Sequence, residues 1–99
     1  MNIEERIAEL ERRTAELESR VSSLETSLAL MSSQLDQFGN YKNRPQNELN
    51  LMKEQIGLMV STCEILVKDA INQSDILRAK SVLRRLRNNQ TRIAKALAA

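Results

Sequence analysis

The sequence predicts an all-α chain, an N-terminal parallel coiled coil joining identical copies and then a C-terminal αα-hairpin forming an intersubunit helical bundle. Three observations carry this. Apolar residues recur three and four apart for five heptads from Ile3, a second apolar run from Leu49 keeps helical spacing, and the 99 residues hold only two glycines, one proline and two aromatics. A β-sandwich or barrel needs aromatic and β-branched alternation with glycine-rich turns, which are absent. One cysteine and no histidine exclude a disulfide framework, a Cys/His zinc site and histidine general-base chemistry. So few large apolar residues predict a thin monomer core that further copies complete. The organisation expected is 1–38 coiled-coil helix, 39–45 linker and 46–99 hairpin, the last divided into an apolar central helix over 46–72 and a basic amphipathic helix over 75–97.

In the first segment, heptad position a holds Ile7, Thr14, Val21, Leu28 and Leu35, and position d holds Ile3, Leu10, Leu17, Leu24, Met31 and Phe38. This is the coiled-coil period. Asn2 with Glu5 three residues on makes a capping box at its start. The charges beside the seam set strand direction. Position g carries Arg6, Arg13 and Arg20, and position e carries Glu4, Glu11, Glu18 and Glu25. In a parallel assembly these pair as Arg6–Glu11, Arg13–Glu18 and Arg20–Glu25, whereas antiparallel strands set arginine against arginine. Each exposed pair contributes only tenths of a kcal/mol, but the difference between attraction and repulsion accumulates over three heptads.

β-branched residues at a with leucine at d suit two strands. Against this, Arg6-Ile7-Ala8-Glu9-Leu10-Glu11 and Arg20-Val21-Ser22-Ser23-Leu24-Glu25 resemble the Arg-apolar-x-x-apolar-Glu pattern of short parallel trimeric coiled coils, and a trimer is favoured over a dimer. The competing arrangement docks this helix on its own C-terminal half and leaves the g/e register without a role. The run Ile3 to Glu11 also resembles the start of short SlyX-type coiled-coil proteins, over about a third of the chain; the hairpin does not continue that likeness.

The linker Gly39-Asn40-Tyr41-Lys42-Asn43-Arg44-Pro45 gathers the turn formers. Gly39 is expected to end the first helix in the left-handed region, with Asn43 capping the second and Pro45 in its first turn. Tyr41 reads first as a lid over the end of the coiled coil, and second as an anion- or base-stacking site with Lys42 and Arg44. In the central helix the main stripe is Leu49, Met52, Ile56, Met59, Cys63, Leu66 and Ala70, and a second stripe of Leu51, Leu58 and Ile65 predicts contact on two sides. Gly57 is expected to permit a close helix approach, since it costs about 1 kcal/mol otherwise. Cys63 reads as a buried, inert thiol with no histidine to activate it. Met52 and Met59 read as core filling.

At Asn72-Gln73-Ser74-Asp75 a turn is expected, with Asn72 or Ser74 as the next cap and Asp75 in the first turn. The last helix then points Ile76, Ala79, Leu83, Leu86, Ile93 and Leu97 inward. Arg78, Lys80, Arg84, Arg85, Arg87, Arg92 and Lys95 cover its remaining surface. The net charge of +2 thus conceals −4 over residues 1–40, zero over 41–74 and +6 over 75–99.

These readings predict a non-enzymatic scaffold, adaptor or assembly factor without catalytic residues, cofactor, metal or small-molecule substrate. Its partners would be itself and, through the basic helix, an acidic protein; the alternative is a nucleic-acid-binding accessory or regulatory protein. A membrane partner fits poorly, because the basic helix lacks aromatic anchors. With neither a secretory signal nor an unbroken apolar span, the expected location is the cytosol, or a virion for a phage-encoded chain.

Overall fold

The structure, a computed structural model, describes residues 2–99. It contains three helices, α1 (Ile3–Phe38), α2 (Gln46–Asp69) and α3 (Gln73–Ala98), and no strand among the described residues. Neither α1, α2 nor α3 is long and apolar enough to cross a membrane. The dimensions, 68 × 20 × 17 Å, follow from the length of α1, about 54 Å at 1.5 Å per residue. α2 and α3 form the expected antiparallel hairpin. α1 runs alongside it in the direction of α3, with Asp36 beside Arg85 and Leu24 lining the same cleft as Asp75.

The helix ends follow local chemistry. The Glu5 N–H donates to Asn2 Oδ1 at 2.8 Å, and the Asp75 N–H donates to Asn72 Oδ1 at 2.8 Å. The Asn72 amide also donates to Asp75 Oδ2 at 2.9 Å. Asn72 is therefore the cap of α3; its partner Asp75 is buried, while Asn72 itself stays exposed. α2 starts differently from expectation. Pro45 occupies its N-cap with no side-chain cap bond, while Asn43 lies at φ +66°. An asparagine tolerates that left-handed backbone, and this uses Asn43 to turn the chain rather than to cap it. Gly39 does end α1, at φ 60° and ψ −121°, outside the left-handed helical well and in a region open essentially to glycine.

The core runs along all three helices. Leu28, Ile56, Cys63, Ala79, Leu86 and Ile93 are fully buried, joined by Leu24, Met31, Leu35, Leu49, Met52, Met59 and Val82. The main stripe of α2 is thus buried as its spacing predicts, apart from half-buried Leu66 and Ala70 at its end. On α3 the inward row is Asp75, Ala79, Val82, Leu86 and Ile93. It is turned slightly from the expected one, so that Val82 is covered and Leu83 is only half-buried. The Cys63 thiol donates to the Ala79 carbonyl at 3.3 Å, which the small Ala79 side chain permits.

Two expectations for α2 are not met within the chain. A Cβ on Gly57 would meet nothing within 4 Å, so this glycine permits no close helix approach. Leu51, Leu58 and Ile65 are 60%, 70% and 58% exposed. That stripe lies well away from the buried row, and α3 and α1 both pack on the core side.

The two stripes of α2 should therefore differ in mutational cost. Ile56→Ala, at a fully buried site, is expected to lower stability by about 3 kcal/mol. Leu58→Ala is expected to change it by no more than about 0.5 kcal/mol. Urea unfolding followed by circular dichroism compares the two directly.

Candidate functional site

Two surfaces combine the sequence-predicted residues, and α1 carries the first. Its a/d seam is continuous in sequence, but the hairpin covers only part of it. Leu24, Leu28, Met31 and Leu35 are buried, packed in one core with α2 and α3. Val21 is half-buried, whereas Ile7, Leu10, Thr14 and Leu17 are exposed, as is Ile3 at 74%. Ile71, at the hairpin tip, shares a cleft with Leu17 and Val21, which marks where cover ends. The free part of the seam therefore spans Ile3 to Leu17, about 21 Å of helix.

The charges beside this free stretch are solvent-exposed. Arg13 reaches back one turn to Glu9 at 2.9 Å, and Arg12 bonds Glu16 at 2.7 Å. Arg6, Glu11, Glu18, Arg20 and Glu25 form no ion pair among the described residues. Arg20 lines a cleft of about 250 Å³ at the hairpin tip with Asp69 and Asp75. Exposed i,i+4 pairs such as Arg12–Glu16 contribute about 0.3–0.5 kcal/mol each, too little to hold those side chains against a better partner.

The second surface is the outer face of α3. Helical spacing aligns Lys80, Arg84, Asn88, Thr91 and Lys95 in one strip opposite the buried row. All five are exposed, and the strip extends about 22 Å. Lys80, Arg84, Lys95 and the neighbouring Arg78 form no ion pair among the described residues. Three further bases are held at the sides. Arg85 bonds Asp36 of α1 at 2.8 Å, Arg87 reaches Glu64 of α2 at 3.4 Å, and the Arg92 guanidinium sits 6.0 Å from the Tyr41 ring centroid. Arg85, Asn88, Asn89 and Arg92 line an open, polar depression of about 380 Å³ beside Asp36. The only acid in α3, Asp75, is buried, so the exposed surface of that helix bears no carboxylate.

The linker residues have structural partners. Tyr41 is buried and its hydroxyl donates to Asn89 Oδ1 at 2.5 Å, which joins the linker to α3. Arg44 donates from Nη2 to the Phe38 carbonyl at 2.8 Å and from Nε to the Asn40 carbonyl at 2.7 Å, and it pairs with Glu48. It thereby satisfies a terminal carbonyl of α1, whose last turn has no basic residue, and ties it to the first turn of α2. Sequence reasoning missed this clamp and Asn89. Arg44–Glu48 at i,i+4 was its one local signal; the distant carbonyl partners left none.

No protein-family model, curated protein or solved structure matches this chain.

Burial raises the Cys63 thiol above its ordinary 9.0, helped by nearby Glu64 and opposed by Arg87. Burial also raises the Tyr41 phenol above 10.0, opposed by Arg92 and Arg44. Both groups hold their protons more tightly folded than unfolded, so ionisation favours the unfolded chain at high pH. Stability is expected to be unaffected by these groups below pH 9, then to fall as pH rises through their folded values. Cys63→Ala should flatten the early part of that fall in urea titrations, and native Cys63 should resist iodoacetamide until the chain is unfolded.

Proposed function

We propose that the chain is a non-enzymatic scaffold that assembles in parallel through the free part of the α1 seam and presents several copies of the α3 face to a macromolecular partner. One observation carries the reading. Ile3, Ile7, Leu10 and Leu17 stand exposed in one row on a helix that extends past the body of its own chain. A row of that kind on an isolated helix gains stability from an equivalent row. Arg6 and Arg13 at g and Glu11 and Glu18 at e favour parallel neighbours. The Arg-apolar-x-x-apolar-Glu pattern beginning at Arg6 favours three strands over two.

The hairpin shapes this assembly. It lies on the same side of α1 as the seam, so Leu24 to Leu35 meet their own chain rather than a second copy. Parallel copies must therefore splay below Val21, and their cationic helices fan out around the stalk. Antiparallel copies would place the hairpins at opposite ends, but would set Arg6 against Arg20 and Arg13 against Arg13. The charge register thus supports the parallel form.

Sedimentation equilibrium tests the assembly: an oligomer is expected at micromolar concentration, and a monomer there defeats the proposal. Glu11→Arg/Glu18→Arg, which sets arginine against arginine across both charge pairs of the free seam, is expected to drive the chain to monomer. Nitroxide labels on an Asn2→Cys variant check orientation. Parallel copies bring the labels close together, whereas antiparallel copies hold them about 30 Å apart, the rise over some 20 residues.

A further inference from the structure

We infer that the outer face of α3 binds the phosphate backbone of double-stranded nucleic acid without reading its sequence. This deepens the proposed presentation of that face by naming its partner class. It depends on assembly only for avidity, because one chain already carries the complete strip.

The composition of the strip selects the partner. Lys80, Arg84 and Lys95 are exposed and without an ion pair among the described residues, Asn88 and Thr91 lie between them, and no exposed carboxylate interrupts α3. The buried centre of a stable protein interface is depleted in charge and enriched in aromatic and apolar side chains. Here the only large apolar side chain on the outer row is Leu77, at its very start. Cations interspersed with an amide donor such as Asn88 suit phosphate oxygens, while the Thr91 hydroxyl donates to the Arg87 carbonyl at 3.3 Å. Arg87, paired with exposed Glu64 only at 3.4 Å, can exchange that weak contact for a phosphate and add a fourth cation.

Duplex is favoured over single strand for a separate reason. Single-strand binding relies on aromatic faces on which bases stack. The two aromatics are Phe38 and Tyr41. Phe38 is half-buried against the core, and Tyr41 is buried with its hydroxyl bonded to Asn89. Duplex DNA instead offers a charge about every 1.7 Å of axis, dense enough to meet cations spread along the strip of α3.

Fluorescence anisotropy with the full chain tests this, using a random-sequence duplex of about two turns, the matching single strand and poly-glutamate. The duplex is expected to bind at least about tenfold tighter than poly-glutamate, and tighter than the single strand. With about four phosphates met per chain, affinity should fall on the order of 100-fold from 50 to 200 mM salt. Lys80→Gln/Arg84→Gln/Lys95→Gln should reduce the logarithmic salt slope by close to three per chain. Lys80→Arg/Lys95→Arg should retain it, and Arg12→Gln on α1 should leave it unchanged. Absence of duplex binding at low salt overturns the inference, as does tighter binding of the single strand. Preference for poly-glutamate overturns it in favour of an acidic protein. Since oligomer mass is measured independently, a monomer with the full single-chain salt slope would defeat the assembly proposal and leave this one standing.

Discussion

The apolar seam of α1 is divided between two environments, and the rest of the structure depends on where the division falls. From Leu24 to Leu35 the seam closes the hairpin core over Ile56, Cys63 and Leu86. From Ile3 to Leu17 the same row faces solvent. A helix that continued at the same azimuth inside a coiled coil would have to give up its hairpin; a helix fully docked on the hairpin would leave no stalk. The hairpin, built from 24- and 26-residue helices, ends its cover near Ile71, beside Leu17 and Val21. That length, rather than any change in the heptad pattern, sets the junction.

Charge follows the same division. The acid-rich half of α1 extends beyond the body, where its carboxylates and arginines remain free to meet other copies. The cationic helix is fixed on the body by Ala79, Val82, Leu86 and Ile93, with its polar arc turned out. The clamp at the other end keeps these parts in register. Arg44 ties the end of α1 to the start of α2, and Tyr41 bonds Asn89 of α3. Asp36–Arg85 and Glu64–Arg87 are exposed pairs and contribute little to stability. At that strength they bias Arg85 and Arg87 toward neighbouring helices, whereas Lys80, Arg84 and Lys95 have no such partner among the described residues.

Much of this was legible in the residues. Three-four spacing placed the helices, and Asn2 and Asn72 marked two starts. The row from Leu49 to Cys63 identified the buried face of α2. Val82 in place of Leu83 shows the limit of an ideal wheel, because a small turn of α3 about its axis exchanges neighbouring apolar residues. Gly57 misled because a glycine in a helix marks a possible close approach and not a realised one. The stripe of Leu51, Leu58 and Ile65 misled for a related reason. Apolarity on two sides says that contact would be favourable, but in this chain both other helices pack on one side.

The sequence by itself determined the helical class, the turn near Asn72, the burial of Cys63 and the acidic-to-basic gradient. These depend on periodicity, capping and local composition, which act over one or two turns. Tertiary structure alone decided that Leu24 to Leu35 belong to the chain's own core and that Arg85, Arg87 and Arg92 have partners within it. It also decided that Tyr41 and Arg44 join the helices at the linker. An identical a/d pattern satisfies a hairpin and a neighbouring copy equally well. The difference lies in which apolar surface lies nearest in space, and residues some 50 positions apart meet only once the chain has folded.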